Sequence, residues 1–255
     1  MTPPEPDEDL STQSFISHLA ELRARLLRGL AAVVLVTASL LYFANDLYAL
    51  VARPLIEKLP QGSTMIATEV ASPFFAPLKL TLVVAVFVAV PYLLHQAWAF
   101  IAPGLYRHER RLALPLLFAS TLLFYAGAAF AYWVVFPVVF GFFTATAPEG
   151  VAIMTDISKY LDFILTMFLA FGIAFQVPIL TVLSVYAGMT TRERLARLRP
   201  HVIVAAFVIG MVLTPPDVVS QTMMAVPMWL LFELGMLVLL IAGPKAKPGE
   251  ESPDY

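Results

Sequence analysis

Long apolar runs alternate with short charged connectors along this chain. Stretches with almost no charge cover residues 26–43, 80–94, 112–143, 163–185, 202–213 and 218–242. None shows the strict alternation of a barrel strand, and lipid offers no partner to unpaired backbone groups, so each run is expected to be a helix. A crossing needs about 20 apolar residues. The fifth run has only twelve residues, on the order of 18 Å of helix at 1.5 Å per residue. The sixth follows after TPPD and is interrupted by Gln221, Pro227 and Glu233. Two short crossings are the preferred reading of this pair, and a re-entrant hairpin is the other.

Positive charge is sorted between the connectors. Arg23 and Arg25 precede the first run and Arg28 stands at its start, and Arg107, Arg110 and Arg111 separate the second from the third. Arg192, Arg194, Arg197 and Arg199 lie between the fourth and fifth, and Lys245 and Lys247 follow the last. These are twelve of the sixteen Lys and Arg residues, all in alternate connectors. Enrichment of Lys and Arg in cytoplasmic loops then predicts six crossings with both termini in the cytoplasm. With 60% hydrophobic and 13% charged residues, the composition fits a polytopic membrane protein and excludes a water-soluble globule.

No linker marks a second domain, so residues 1–255 read as one membrane domain. It comprises a polar tail (1–13), a bundle (14–242) and a cytoplasmic tail (243–255). The acidic start, MTPPEPDEDL, is neither a secretory signal nor a transit peptide, which makes a bacterial inner membrane the simplest address. There are no cysteines, hence no disulfides or thiolate chemistry. Pro91, Pro115, Pro137, Pro178 and Pro227 fall within or at the ends of spans and are expected to kink them. Either the bundle simply uses curved helices, or the kinks build a concave surface for a partner. The connectors 53–77 and 144–158 carry turn signals and suggest a compact cap on the other face.

Catalytic signatures are missing: there is no phosphate-binding glycine loop, no HExxH, and the four histidines are scattered. No ligand cluster suggests a metal or other cofactor. Two charged segments stand out. In SHLAELRARLL (17–27), Phe15, Ile16, Leu19, Leu22 and Leu26 form one stripe, as in a helix lying on the membrane surface, while His18, Glu21 and Arg25 share another face. In AFIAPGLYRHERR (99–111), Glu109 stands among Arg107, Arg110 and Arg111. Taken singly, Glu21 reads equally as half of a surface pair with Arg25, and Glu109 as local charge balance. Together they put two carboxylates in the same compartment, where each can hold a guanidinium through two parallel hydrogen bonds. A basic peptide is the expected ligand.

HLAELRARL (18–26), PLIEKLPQGSTMIATEVASPFFAPLKL (54–80), QAWAFIAPGLYRHERR (96–111) and LTPPDVVSQ (213–221) resemble the TatC family, the multispanning receptor of the twin-arginine protein translocase. The resemblance spans nearly the whole chain and implies a non-enzymatic receptor and scaffold. Such a receptor binds twin-arginine signal peptides on the cytoplasmic face. With single-span TatA- and TatB-type partners, in several copies per complex, it exports folded proteins, with no cofactor and no nucleic acid. It also implies that Glu21 and Glu109 bind the paired arginines, with Arg23, Arg107 and Phe100 on the same motifs. Pro54 and Asp217 fall on further motif positions. Met211, Thr214 and Gln221 match a polar cluster that docks a partner helix. The sequence departs from the family at Gln176, where many relatives carry glutamate, so a role needing a titratable group there is not expected. Glu233 and Asp162 are further polar groups in or near spans. They carry the competing reading, a proton-coupled solute transporter, against which the absence of internal repeats counts. A third reading, an intramembrane hydrolase, has no nucleophile–base pair behind it.

Overall fold

A computed structural model describes residues 6–56, 65–101, 113–145, 155–213 and 218–242. Helix α1 runs unbroken over Pro6–Leu40 and continues through a 3-10 turn, Leu41–Phe43, into α2, Ala44–Ile56. α3 covers Ser72–Ile101. α4, Ala113–Phe130, and α5, Phe136–Ala145, are joined by a π-helical turn at Ala131–Val135. α6, Ile157–Ala174, and α7, Val177–Tyr186, are separated by a break at Phe175 and Gln176. The short α8, Arg192–Arg197, leads into α9, Arg199–Leu213, and α10, Val218–Ala242. A two-residue parallel ladder pairs Met65 (β1) with Thr155 (β2) and Ile66 with Asp156. The fold is all-α apart from this ladder. Five helical segments among the described residues are long and apolar enough to cross a membrane: Ser17–Leu50, Ser72–Phe100, Leu114–Phe142, Ile157–Tyr186 and Gln221–Ile241; Arg199–Leu213 is apolar but shorter.

Two expectations are corrected. Residues 17–27 are not a separate surface helix; they are part of the same 35-residue α1 as the first span. Nothing between Leu19 and Leu40 stops a helix. The one glycine, Gly29, lies close against α3, where an added Cβ would stand 3.0 Å from Leu93 Cδ2. Nor is the sixth apolar run a short helix. α10 has 25 residues, about 37 Å at 1.5 Å per residue, whereas α9 with 15 residues is short as expected. The polar interruptions in α10 do not break it because its neighbours satisfy them: Gln221 donates to the Phe207 carbonyl of α9 at 2.9 Å, and Glu233 pairs with Arg199.

Proline effects are local and traceable. Pro137 has no N–H for the Trp133 carbonyl, and the π turn immediately before it absorbs the mismatch. Pro178 occupies the first turn of α7, where its missing N–H costs nothing, and the α6–α7 span breaks just ahead of it. Pro91 and Pro227 stay inside α3 and α10. Gly188, at φ 70°, closes α7 in the left-handed conformation that ends helices, with Met189 N–H reaching back to Ser184 O at 3.0 Å.

The chain divides into two compact units, Met1–Leu122 with Phe140–Thr166, and Leu123–Val139 with Met167–Tyr255. In the first, α1 and α2 pack on α3, and Leu80, Thr81, Ala85, Ala89, Tyr160 and Ile164 are buried. Thr81 lies fully inside because its hydroxyl donates to the Pro77 carbonyl at 2.8 Å. In the second, α7 and α9 pack on α10 around Phe232, Met236 and Leu239. Small residues allow the tightest approaches there, as in membrane helix pairs generally. A Cβ on Gly127 would lie 2.4 Å from the Phe171 carbonyl oxygen, and one on Gly172 would lie 2.6 Å from the Phe124 ring.

Candidate functional site

The charged face of α1 meets the end of α3. Arg25 donates to Glu21 Oε1 from Nε at 3.0 Å and from Nη2 at 2.5 Å, the expected i, i+4 pair. The Arg25 side chain is the more covered partner at 19% exposure, against 36% for Glu21. One carboxylate oxygen therefore takes both bonds, and no partner for Oε2 occurs among the described residues. One turn earlier on the same face, His18 stacks on Phe100 with centroids 4.3 Å apart and planes at 20°. Phe100 is half-buried, and α3 ends one residue later at Ile101. Arg23 is exposed and, at 100° per residue, lies about 200° around α1 from Glu21.

Of the residues expected to bind peptide, the structure thus brings together Glu21 and Phe100, through His18 and Arg25, and puts Arg23 on the opposite flank. Arg107 and Glu109 lie outside the described residues, in the segment that directly follows α3. Pro54 belongs to the last turn of α2.

The second group of expected residues lies in the other unit. Met211 is exposed near the end of α9, while the Gln221 amide is committed to the Phe207 carbonyl at 2.9 Å and joins α9 to α10. Thr214 and Asp217 lie outside the described residues. Gln176 is buried at the α6–α7 break, and its side-chain amide reaches the Gly172 carbonyl at 3.4 Å. Glu233 receives Arg199 Nη2 at 2.8 Å.

Sequence reasoning missed the devices at the far end of α3. Asp156 caps α6: its Oδ1 accepts Ser158 N–H at 2.8 Å and Lys159 N–H at 3.0 Å. Its Oδ2 accepts the Thr68 hydroxyl and, at 2.9 Å, the Thr68 N–H. These four donors, the Thr68 hydroxyl foremost, hold its carboxyl well below the usual carboxylate range. Lys79 Nζ bridges both oxygens of Asp162 at 2.7 and 2.8 Å, joining α3 to α6. At the other end of α3, two residues before Phe100, Trp98 donates from its indole N–H to the buried Ser120 hydroxyl at 3.0 Å. Asp156 sits in a TD pair just before an apolar run, the local signature of an N-cap. The long-range pairings leave no such trace.

Comparison with known proteins identifies the family of the chain. The family model described as Sec-independent protein translocase protein (TatC) matches residues 17–227. The chain is 61% identical over 233 residues to the protein of that name from Azotobacter chroococcum, covering 91% of this chain and 90% of that one. It is 56% identical over 240 residues to the protein of that name from Escherichia coli, covering 94% and 93%. Among solved structures, a crystal structure described as the twin-arginine translocase receptor TatC matches with a TM-score of 0.80 and 37% identity, over 89% of this chain and all (100%) of that one.

Proposed function

Because the chain belongs to the TatC family of Sec-independent protein translocase proteins, which are translocase components and not enzymes, we propose that the α1–α3 end is its docking site for twin-arginine signal peptides. The carrying observation is the half-used carboxylate of Glu21. Arg25 occupies Oε1 and neutralises part of the charge, while Oε2, without a partner among the described residues, is the atom that takes an incoming guanidinium. An arginine fits this opening better than a lysine, since its planar fork can engage a carboxylate oxygen while stacking on the neighbouring His18–Phe100 pair. A second guanidinium would be met by Glu109. The two carboxylates then match two adjacent arginines on a surface otherwise rich in positive charge.

The same reading assigns six crossings with both termini in the cytoplasm of a bacterial cell, α9 forming the short fifth span, in one membrane domain over residues 1–255. The exposed part of α9 around Met211, with Thr214 beyond it, is the docking edge for single-span TatA- and TatB-type helices. Gln221 supports that edge by fixing α9 against α10. Gln176 acts through its amide without titrating. Asp162 and Glu233 are each held in an ion pair, so the proton-relay alternative has no unengaged carboxylate in these two residues.

Titrating the purified chain with a labelled twin-arginine signal peptide and with its twin-lysine counterpart tests the proposal. Tighter binding of the arginine peptide supports it. Equal binding of the two contradicts it.

A further inference from the structure

A cleft of about 420 Å³ opens along α10, lined by Arg192, Arg199, Glu233 and the leucines at 230, 234, 237 and 240. The four leucines follow one another at helical spacing and are all about half exposed. They form a stripe of about 15 Å on a helix that is apolar enough to cross the membrane. In a bilayer this stripe faces acyl chains.

The polar side of the cleft carries more positive than negative charge. Arg199 gives Glu233 one hydrogen bond, from Nη2, while its side chain stays 48% exposed. A guanidinium has five N–H donors in a planar fork, so most of its donor capacity is not used by that contact. Arg192 is exposed, and among the described residues no carboxylate lies within ion-pair distance of it. Among the described residues two guanidiniums face one carboxylate, leaving one positive charge without an acidic partner beside an apolar stripe.

From this juxtaposition we infer that the α8–α9–α10 cleft binds an anionic phospholipid, the phosphate held between Arg192 and Arg199 and an acyl chain laid along Leu230, Leu234 and Leu237. Basic pockets between membrane helices bind acidic headgroups for the same reason: the charge is drawn to the phosphate while the tails bury apolar surface. A free phosphate would use the arginines but not the leucines. An apolar helix would use the leucines but leave the arginines unmatched. Glu233 has a definite part in such a site. It orients Arg199 and at the same time competes with the phosphate for that guanidinium. The inference needs the membrane setting only and does not depend on the signal-peptide reading.

Native mass spectrometry of the full chain in a neutral detergent tests it, with phosphatidylglycerol and phosphatidylcholine of matched acyl chains as probes. Retention of phosphatidylglycerol should exceed that of phosphatidylcholine about tenfold. Arg192→Gln, which leaves the Arg199–Glu233 pair intact, should reduce phosphatidylglycerol binding about fivefold, the worth of one arginine near an anionic lipid. Glu233→Gln should strengthen it, because Arg199 is released to the phosphate; a merely structural pair would give no gain. Glycerol phosphate, the headgroup without tails, should not displace the lipid at equal concentration. Equal retention of the two lipids, displacement by glycerol phosphate, or unchanged binding in both variants would each overturn the assignment.

Discussion

His18 and Phe100 lie face to face, 4.3 Å apart at 20°, and tie the face of α1 that carries Glu21 to the last turn of α3. The contact packs the two helices together and, on the proposed function, steadies the end of α3 that precedes Arg107 and Glu109 in the sequence. Aromatic pairs contribute about 0.5–1.5 kcal/mol beyond their buried area. Phe100→Leu should therefore weaken twin-arginine peptide binding by up to about tenfold, while Phe100→Tyr keeps the stack and most of the affinity. Peptide titration beside a thermal melt in detergent separates lost positioning from lost stability.

Close packing at two glycines gives a stability test independent of peptide. At Gly127 an added methyl meets a backbone carbonyl at 2.4 Å, which cannot rotate away. At Gly172 it meets an aromatic ring at 2.6 Å. Gly127→Ala should cost about 1–3 kcal/mol, the usual range for overpacking, and Gly172→Ala somewhat less because the Phe124 ring can shift. Gly141, with nothing within 4 Å of its would-be Cβ, is the control. Thermal unfolding of the three variants should rank them in that order.

Two ion pairs of similar length should differ in worth. Lys79–Asp162 and Arg199–Glu233 span 2.7 and 2.8 Å, but the acidic partner is 39% exposed in the first and 26% in the second. Exposed pairs give about 0.2–1 kcal/mol, since water screens them and ordering two long side chains offsets part of the gain. A carboxylate within a span has fewer alternatives when its partner is removed. Double-mutant cycles read by unfolding should therefore give a larger coupling for Arg199–Glu233, about 1–2 kcal/mol.

Much of the fold can be read locally. Residues 80–94 carry no charge and fall inside α3, and the prolines at 137 and 178 each mark an irregularity in the backbone. What the sequence could not show depends on partners far along the chain. The apolar stripe on residues 17–27 suggested a surface helix, and its Leu19 and Leu26 do stay exposed; nothing local reveals that α3 meets α1 elsewhere, with Phe100 on His18 of the charged face and Leu93 on Gly29. The sixth apolar run looked like a short crossing because Gln221 and Glu233 counted as interruptions until their partners on α9 were known. Lys79–Asp162 and Thr68–Asp156 join residues 83 and 88 positions apart, beyond any periodicity. At the candidate site, the Glu21–Arg25 pair was legible from its spacing, whereas the stacking of His18 on Phe100 was not.

The Asp156 cap makes a prediction about acid. Its carboxyl titrates below the unfolded value, so the cap's contribution is fully present above the ordinary aspartate range of about 4 and is lost only as pH falls toward the folded value. Amide exchange at Thr68, Ser158 and Lys159 should stay slow down to about pH 4 and accelerate below it. In Asp156→Ala the same amides should exchange fast at neutral pH. Asp156→Asn, which still accepts hydrogen bonds, should fall between the two.

If Glu21 receives a guanidinium of the signal peptide, exchanging charge between the two must move affinity with it. Binding of a fluorescent twin-arginine signal peptide would be measured for the parent, Glu21→Ala and Glu21→Lys, then repeated with a peptide in which one arginine is replaced by glutamate. Removing one member of a desolvated charge pair costs about 2–5 kcal/mol, and a rim contact far less. Glu21 already shares Oε1 with Arg25 and is 36% exposed, so its loss should fall near the lower end, roughly 30-fold weaker binding. Glu21→Lys should bind the natural signal more weakly still and partly recover with the glutamate-bearing peptide. Undiminished binding of the natural signal by both variants, with no recovery for the altered one, would contradict the claim.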